Sequence, residues 1–469
     1  MNRGGPTDTA AAERGLFDRA LRRLLTAWRD VAGGAGEPAD IAEQMRACLE
    51  AKGGEVSARA RSARLAQAYL AADAEGRLAF LRTLAGFDAD PALLQEALRA
   101  AADAVDPPAR ARALARLRRV LEAPRVRLLT QFTSIPEGVK FLVDMRAELM
   151  RHARGDPALA ALDDDFRSLL AAWFDVGFLR LRRIDWDSPA SLLEKLVGYE
   201  AVHEIRSWRD LKNRVDSDRR CYAFFHPAME GEPLIFVEVA LVKGLADNVH
   251  ALLDEKAPVM NPAEADTAIF YSISNCQRGL SGISFGNFLI KQVVDRLSAE
   301  FRNLKTFATL SPIPGFRRWL DEKLAAEDRL LTDDEADRLA EALGAAEGEE
   351  ERHPLARLLA RRGWHRDAAL AEAARPVLLR LCARYLLAES DGRGRARDPV
   401  AHFHLTNGAR AERLNWLADT SDKGLKESAG LMVNYLYDRD AIEANHEAYV
   451  GEGKRAAATA LKRLARGWV

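Results

Sequence analysis

Apolar positions recur every three or four residues through the first 186 residues of the chain. The stretch "RGLFDRALRRLLTAWRDVA" shows this spacing, and "ARLAQAYLAADAEGRLAFLRTLAGF" continues it. Such spacing places the apolar side chains on one face of a helix, so it predicts a series of amphipathic helices. Asp-Pro and Pro-Pro pairs interrupt the pattern, as they do where helices end or begin. We therefore predict a helical bundle domain over residues 1–186, with a role in assembly and support.

After residue 186 the pattern changes to short apolar runs bounded by Gly, Pro or Asn. These runs are rich in Val, Ile, Phe, Tyr and Thr, a composition typical of strands. They are "RCYAFFHP", "PLIFVEVALV", "TAIFYSISN", "KTFATLSPI" and "VAHFHLTNG". The stretch "FGNFLIKQVVDRLSAEFRNL" between two of them has the spacing of an amphipathic helix. We predict an α/β catalytic domain over residues 187–469, interrupted by a charged helical insertion at about 321–398.

Two sites in the sequence have the spacing of a helix capping box. Ser134 and Glu137 stand just before "GVKFLVDMRAELMRH", and Thr332 and Glu335 stand inside the insertion. In a capping box the side chains of the first and fourth residues satisfy backbone N–H groups at the start of a helix. The pattern therefore predicts helices that begin at both places.

Charge and cysteine content narrow the function classes. The 469 residues carry 69 Lys plus Arg against 70 Asp plus Glu, for a net charge of -1, so no overall basic field favours nucleic acid. No apolar run approaches the ~18 residues of a membrane span, and the first residues do not resemble a secretory signal. Four cysteines stand far apart without a CxxC pair, a pattern that fits a reducing compartment. We expect a cytoplasmic protein with no nucleic acid or membrane partner.

A glycine-containing loop joins a predicted strand to a predicted helix in "FYSISNCQRGLSGISFGNFLIKQVVDRL". Gly279, Gly282 and Gly286 lie in this loop. Glycines there permit close backbone approach, and free N–H groups at a helix N terminus attract phosphate. The spacing is neither that of a P-loop nor that of a dinucleotide fingerprint. Strand, loop, helix and strand in this order indicate an acetyltransferase-like (GNAT-like) fold that binds coenzyme A, although the strict glycine signature of the acetyltransferases is not met.

The next predicted strand ends in "LSPIPGF", where Ser311 precedes Pro312 and Pro314. Proline restricts both its own backbone and that of the preceding residue, so Ser311 has a well-defined position. A turn that ends the strand is the simplest interpretation, since Ser, Pro and Gly are common in turns. In the fold proposed above, Ser311 would instead lie where the acyl group of the thioester arrives.

Two histidines, His402 and His404, stand in the run "VAHFHLTNGA". If that run is a strand, residues two apart share a face, so the pair is a candidate metal site without a visible third ligand. Buried structural histidines are a second interpretation, and a proton carrier at His404 is a third. His226 precedes a proline, so we predict that it is a turn residue. These alternatives stay open on the residues alone.

Five segments resemble the malonyl-CoA decarboxylase family in both their residues and their order along the chain. They are "RCYAFFHPAMEGEPLIFVEVALVKGL", "AIFYSISNCQRGLSGISFGNFLIKQVV", "LSPIPGFRRWL", "FHLTNGARAERLNWLADTS" and "GLMVNYLYD". The resemblance covers about residues 190–445. It implies a helical bundle joined to an acetyltransferase-like domain that converts malonyl-CoA to acetyl-CoA and carbon dioxide without metal or organic cofactor.

The resemblance also implies roles for particular residues. The family's catalytic serine corresponds to Ser311 and its catalytic histidine to His404. A histidine near its ordinary pKa would suit proton delivery at neutral pH, with Ser311 as its hydrogen-bonding partner. Residues that correspond to the family's substrate-binding positions are Ser272, Ser281, Gly282, Ile283, Ser284, Phe285, Gly286, Asn287 and Tyr437. Vertebrate members carry a glutamate where this chain has Ser284, so the resemblance supplies no acidic helper here.

Other functions remain open beside a decarboxylase. An acyl-CoA-dependent N- or O-acyltransferase would use the same fold and loop but needs a pocket for an acceptor. A coenzyme A sensor that has lost catalysis is a third possibility, against which the presence of both Ser311 and His404 speaks. The helical first part also leads us to expect a homodimer or homotetramer.

Overall fold

The computed structural model of the chain describes residues 28, 31, 40–50, 54–283, 288–326, 329–344 and 353–467. Within these ranges the first part of the chain is helical, and the second part is a mixed sheet covered by helices. This architecture confirms the predicted fold class of a helical region followed by an α/β domain. The boundary at residue 186 and the limits of the insertion stay predictions.

The helices of the first part follow the three- and four-residue spacing of apolar residues. Asp90, Asp106 and Asp156 each precede a proline, and each side chain accepts hydrogen bonds from the first turn of the helix that follows. The Asp-Pro pairs therefore mark helix starts, as predicted. The helices are α1 (Ile41–Leu49), α2 (Glu55–Ala71), α3 (Ala74–Ala85), α4 (Pro91–Asp103), α5 (Pro107–Leu121), α6 (Pro124–Gln131), α7 (Gly138–His152) and α8 (Pro157–Trp173).

The second part alternates strands and helices. Its strands are β1 (Arg180–Ile184), β2 (Arg219–Phe225), β3 (Pro233–Val242), β4 (Thr267–Asn275), β5 (Thr306–Thr309), β6 (Ser311–Pro312), β7 (Arg410–Asn415) and β8 (Met432–Leu436). Its helices are α9 (Ala190–Tyr199), α10 (Trp208–Arg214), α11 (Val249–Leu252), α12 (Phe288–Glu300), α13 (Phe316–Ala325), α14 (Asp333–Leu343), α15 (Pro354–Ala360), α16 (Ala368–Leu387), α17 (Pro399–Thr406), α18 (Asp422–Ser428), α19 (Ile442–Glu452) and α20 (Thr459–Leu464).

These strands form one twisted sheet of mixed direction. The order is β1-β2-β3-β4-β5-β8-β6, with β7 also paired to β8. Strands β1 to β4 are antiparallel, β4 and β5 are parallel, and β8 runs antiparallel to β5, β6 and β7. The parallel pair β4/β5 is joined through α12, since parallel strands need a crossover connection. One apolar core lies between this sheet and α12, α13 and α16.

Four of the five predicted strands are confirmed, and the fifth is wrong. The run "VAHFHLTNG" lies in helix α17, where the Asp398 side chain accepts from the N–H groups of Val400 and Ala401. Proline at the first helical position also favours a helix start. The buried residues of α17 are Ala401, His404 and Leu405, which have helical rather than alternating spacing. His402 and His404 therefore do not share a face.

The two predicted capping boxes differ in outcome. Thr332 and Glu335 form one at the start of α14, with both reciprocal hydrogen bonds present. Before α7, the residue at the cap is Glu137 in a left-handed conformation, and no side chain caps the helix. The Ser134 hydroxyl instead donates to the carbonyl of Gln131 in the preceding turn. The helix begins at the predicted place, but the capping prediction is wrong.

Among the described residues, no helix is long and apolar enough to cross a membrane.

Candidate active site

Ser311 lies in the short strand β6, directly after the interruption that follows β5. Its register partner is Val433 of β8, and Leu310 before it donates its N–H to the carbonyl of Phe270. Ser311 is therefore held between β4 and β8 by main-chain hydrogen bonds and is not part of a free turn. Its side chain is buried.

His404 reaches Ser311 from helix α17. The distance between Ser311 Oγ and His404 Nε2 is 3.1 Å, although the two residues are 93 positions apart. On the other side of the ring, His404 Nδ1 lies 2.8 Å from the Tyr437 hydroxyl. The imidazole also stacks on Tyr435, with ring centroids 4.6 Å apart. The structure thus brings three of the predicted site residues into one buried network.

Thr309 extends this network and orients its protons. Ser311 Oγ donates to Thr309 Oγ1 over 2.8 Å, and the backbone N–H of Tyr435 donates to the same oxygen over 3.1 Å. Because the hydroxyl proton of Ser311 is engaged with Thr309, Ser311 Oγ accepts from His404 Nε2–H. His404 Nδ1 then accepts from the Tyr437 hydroxyl, since a neutral imidazole carries one proton. The proton order therefore runs from Tyr437 through His404 to Ser311.

Burial controls the ionisation of this network. Desolvation lowers the pKa of His404 to about 3, so the ring is neutral at physiological pH in the unliganded protein. Burial also raises the pKa of the Tyr437 hydroxyl well above its ordinary value. The expectation of a histidine near its ordinary pKa is therefore wrong, because no charged partner offsets the loss of water around the imidazole.

Asp398 connects the two segments that carry Ser311 and His404. One carboxylate oxygen caps α17, and the other lies 3.4 Å from both the Gly315 nitrogen and the Tyr385 hydroxyl. Gly315 has no room for a side chain, because a Cβ there would lie 2.1 Å from the Tyr385 oxygen. Burial raises the pKa of Asp398. The Ser-Pro-Ile-Pro-Gly segment and the histidine helix are thus tied to one carboxyl group.

Ser272 lies outside this network. It is buried on β4 opposite Glu238, and its hydroxyl donates to the Glu200 carboxylate at 2.8 and 2.9 Å. The hydroxyl of Ser274 is 3.3 Å from Glu200 as well. No hydrogen bond in the described part of the chain joins Ser272 to Ser311 or His404. Its predicted contact with substrate stays a prediction.

Part of the predicted substrate loop is described. Ser281 and Gly282 are exposed, Ile283 is buried, and all three line a cavity of about 650 Å³. Residues Ser284, Phe285, Gly286 and Asn287 lie outside the described residues. Phe403 of helix α17, which also carries His404, and Asn407 directly after the helix line the same cavity.

The histidine pair does not form a metal site. His402 Nδ1 bonds to the Tyr449 hydroxyl at 2.8 Å, whereas His404 faces Ser311 and Tyr437. Over the described residues, no three His, Cys, Asp or Glu side chains converge as metal ligands. His226 accepts from the N–H of Ala228 at the start of a short 3-10 turn, in line with the turn role predicted for it.

Sequence reasoning missed Thr309 and Asp398. A signal for Thr309 existed, because residues two apart on an extended segment point to the same side, and Thr309 precedes Ser311 by two. Asp398 gave no such signal, because the sequence places it at the end of the predicted insertion, before a run predicted to be a strand. The fold and the buried Ser–His–Tyr network together define a helical region joined to an α/β domain that carries a candidate acid–base site.

Comparison with known proteins identifies the family. Family models match residues 177–468 as the malonyl-CoA decarboxylase C-terminal domain and residues 87–174 as its N-terminal domain. The chain is 41% identical over 349 residues to the mitochondrial malonyl-CoA decarboxylase of Rattus norvegicus, which is 72% of this chain and 70% of that protein. The chain belongs to the malonyl-CoA decarboxylase family.

Solved structures agree with this assignment. The crystal structure of malonyl-CoA decarboxylase from Rhodopseudomonas palustris is 44% identical, covers 91% of this chain and 100% of its own, and has a TM-score of 0.80. The structure from Agrobacterium vitis is 41% identical, covers 91% of this chain and 99% of its own, and has a TM-score of 0.81. The similarity therefore extends over both the helical region and the sheet domain.

Proposed function

We propose that this protein decarboxylates malonyl-CoA to acetyl-CoA and carbon dioxide, with Ser311 and His404 in the proton path. Membership of the family supports the reaction. The observation that carries the residue roles is the contact of 3.1 Å between Ser311 Oγ and His404 Nε2, both of them buried.

The reaction breaks the bond between C2 and the carboxylate carbon of the malonyl group. The electron pair of that bond passes to C2 and the thioester oxygen as an enolate, and carbon dioxide leaves. Donors aimed at the developing charge supply the largest part of such catalysis in many enzymes. In our proposal the Ser311 hydroxyl turns from Thr309 towards the substrate and holds this oxygen or the departing carboxylate.

The neutral state of His404 gives the proton transfer a direction. The malonyl carboxylate brings a negative charge into the site, which raises the proton affinity of a nearby imidazole. His404 then takes up a proton with the substrate. The added proton enters at Nδ1, because Nε2 already carries one. When carbon dioxide has left, Ser311 Oγ gives its proton to C2 and takes up the Nε2 proton, so that His404 is again neutral, as burial favours, with its proton on Nδ1. One proton is consumed for each malonyl group, as the overall reaction requires.

Substrate contacts form a second part of the proposal. We assign malonyl-CoA binding to the loop of Ser281, Gly282, Ile283, Ser284, Phe285, Gly286 and Asn287, with Ser272 and Tyr437 as further residues near the substrate. The position of Tyr437 against His404 supports its role. We also propose that no metal or organic cofactor is needed, because hydroxyl and imidazole groups supply both the hydrogen bonds and the proton. Full activity after exhaustive chelation would support this statement.

The experiment mixes purified full-length protein with malonyl-CoA and measures acetyl-CoA by mass spectrometry. Ser311→Ala and His404→Ala should each lower kcat by about 10²-fold or more, since general acids contribute ~10²–10⁴-fold. Both variants should retain the far-UV circular dichroism spectrum of the parent. In D₂O the product should carry one deuterium in the acetyl group. Near-normal turnover in either variant would remove that residue from the mechanism.

Assembly and compartment are further proposals. We infer a homodimer or homotetramer, which sedimentation velocity would test. A reducing compartment such as the cytoplasm is supported by the four cysteines, all of which are buried free thiols. The rat relative is named as a mitochondrial protein, so a fluorescent fusion in the native cell is the decisive measurement.

A further inference from the structure

The substrate loop is anchored in the helical region as well as in the sheet domain. Leu280 and Ile283 are buried in the apolar core that fills the helical region, beside residues of α7 and α8. Gly279 packs so closely on α7 that a Cβ there would lie 1.8 Å from the carbonyl oxygen of Val143. A loop that begins the acyl-CoA site is therefore positioned by a helix more than a hundred residues earlier in the chain.

Arg146 of α7 makes this attachment specific. Its side chain is only 2% exposed, and its Nη1 donates to the carbonyl oxygens of Gly279 at 2.7 Å and Ser281 at 3.0 Å. Its Nε donates to Asp163 of α8 at 2.8 Å. A buried charge is stable only when it is paired and hydrogen-bonded, and Asp163 with the two carbonyls provides both conditions. The guanidinium thus fixes the backbone of the loop between residues 279 and 281.

The same helix forms a wall of the cavity of about 650 Å³. Ala147, Met150 and Arg151 of α7 line it, together with the exposed Ser281 and Gly282. Apolar and flexible surface from Ala147 and Met150 suits the pantetheine arm of an acyl-CoA, and the guanidinium of Arg151 suits a phosphate group. The wall therefore has the chemistry that a coenzyme A thioester requires.

We propose that helix α7 is part of the acyl-CoA site and that Arg146 is a positioning residue for the substrate loop. This inference rests on the proposed function. It gives the helical region a direct role in substrate binding, beyond assembly and support. Arg146 does not touch the substrate; it acts through the carbonyls of Gly279 and Ser281.

The test compares Arg146→Lys with Arg125→Lys in the full-length protein. Arg125 is a suitable control, because it is also buried in the helical region, and its hydrogen bonds and ion pairs go to the Ala85 carbonyl, Asp88 and Asp165 rather than to the loop. Lysine keeps the charge in both variants but loses the planar fork. The readouts are kcat and KM for malonyl-CoA, the Kd for acetyl-CoA by calorimetry, and the midpoint of chemical unfolding.

We expect Arg146→Lys to raise KM and the acetyl-CoA Kd by about tenfold, the effect of losing a hydrogen bond from a charged donor. The change in kcat should be smaller than the change in KM. Arg125→Lys should lose a similar amount of stability and keep the parent KM. Equal KM values in the two variants would overturn the inference and leave the proposed function intact.

Two further outcomes are distinguishable. If Arg146→Lys does not fold, Asp163→Asn replaces it, since Asp163 is partly exposed and its loss frees Arg146 from its anchor; an unchanged KM in Asp163→Asn then overturns the inference. If the parent protein does not decarboxylate malonyl-CoA, the proposed function fails. A higher Kd for acetyl-CoA in Arg146→Lys, with no such change in Arg125→Lys, would still support the role of α7.

Discussion

Thr309 offers the most direct test of the proton order in the site. Its hydroxyl oxygen accepts from Ser311 Oγ at 2.8 Å and from the N–H of Tyr435 at 3.1 Å, and its side chain is fully buried. Thr309→Val has nearly the same shape but no acceptor. Without Thr309 Oγ1, the Ser311 proton can turn to His404 Nε2, and the imidazole then takes its other tautomer. The hydrogen bond between Ser311 and His404 would be reversed.

The magnitude of each effect follows from these contacts. The Tyr435 N–H would lose its buried acceptor, which costs about 1–3 kcal/mol of unfolding free energy. The reversed hydrogen bond removes the donor to Ser311, so kcat should fall by about 10²-fold, the lower end of general-acid contributions. KM should stay within about threefold of the parent value, because Thr309 does not line the cavity beside the substrate loop. Thr309→Ser retains the acceptor and should restore most of kcat.

The assay combines steady-state kinetics with chemical unfolding, in the parent and in the Ser311→Ala background. If Thr309 acts through Ser311, Thr309→Val should lower kcat no further when Ser311 is already alanine. The loss of stability should be the same in both backgrounds, since it comes from Tyr435. Parent-like kcat in Thr309→Val, or an equal fall of kcat in both backgrounds, would refute the reasoning.

Three other outcomes are expected. Burial, with the nearby Glu200, raises the pKa of Glu238 to about 8, so the folded state keeps a proton that the unfolded state loses above about pH 4.5. The free energy of unfolding should therefore fall as the pH rises from 5 towards about 8. Urea unfolding of Glu238→Gln should show a smaller fall over this range. The same pH dependence in the parent and the variant would contradict the raised pKa of Glu238. Because the pKa of His404 is lowered to about 3, the pH profile of kcat/KM should show no inflection from this residue near pH 6.5. An inflection near pH 6.5 that disappears in His404→Gln would contradict the lowered pKa. Gly279→Ala forces a Cβ against the Val143 carbonyl, and it should raise KM for malonyl-CoA by about tenfold or more, as displacement of the loop implies; unchanged kinetics would show that the loop tolerates the shift.

Local patterns predicted most elements of the fold correctly. Strands β2, β3 and β4 are long apolar runs that are buried on both faces over most of their length, so their composition identifies them without knowledge of neighbours. The strand predicted at helix α17 is wrong, because "VAHFHL" alternates weakly and the capping residue, Asp398, lies outside that run. A run of eight residues is short enough for either period to fit, and packing of Ala401, His404 and Leu405 against the core selected the helix.

The sequence alone determined the two-part architecture, the family, and the identity of Ser311 and His404 as the residues to examine. Hydrophobic periodicity and turn residues determine local structure over a few positions, so both signals can be recognised in a single sequence. The tertiary structure alone decided that Ser311 and His404 are in contact across 93 positions, that Thr309 orders their protons, and that Arg146 holds a loop 133 residues away. It also decided the neutral state of His404, because desolvation depends on every segment that packs around the ring.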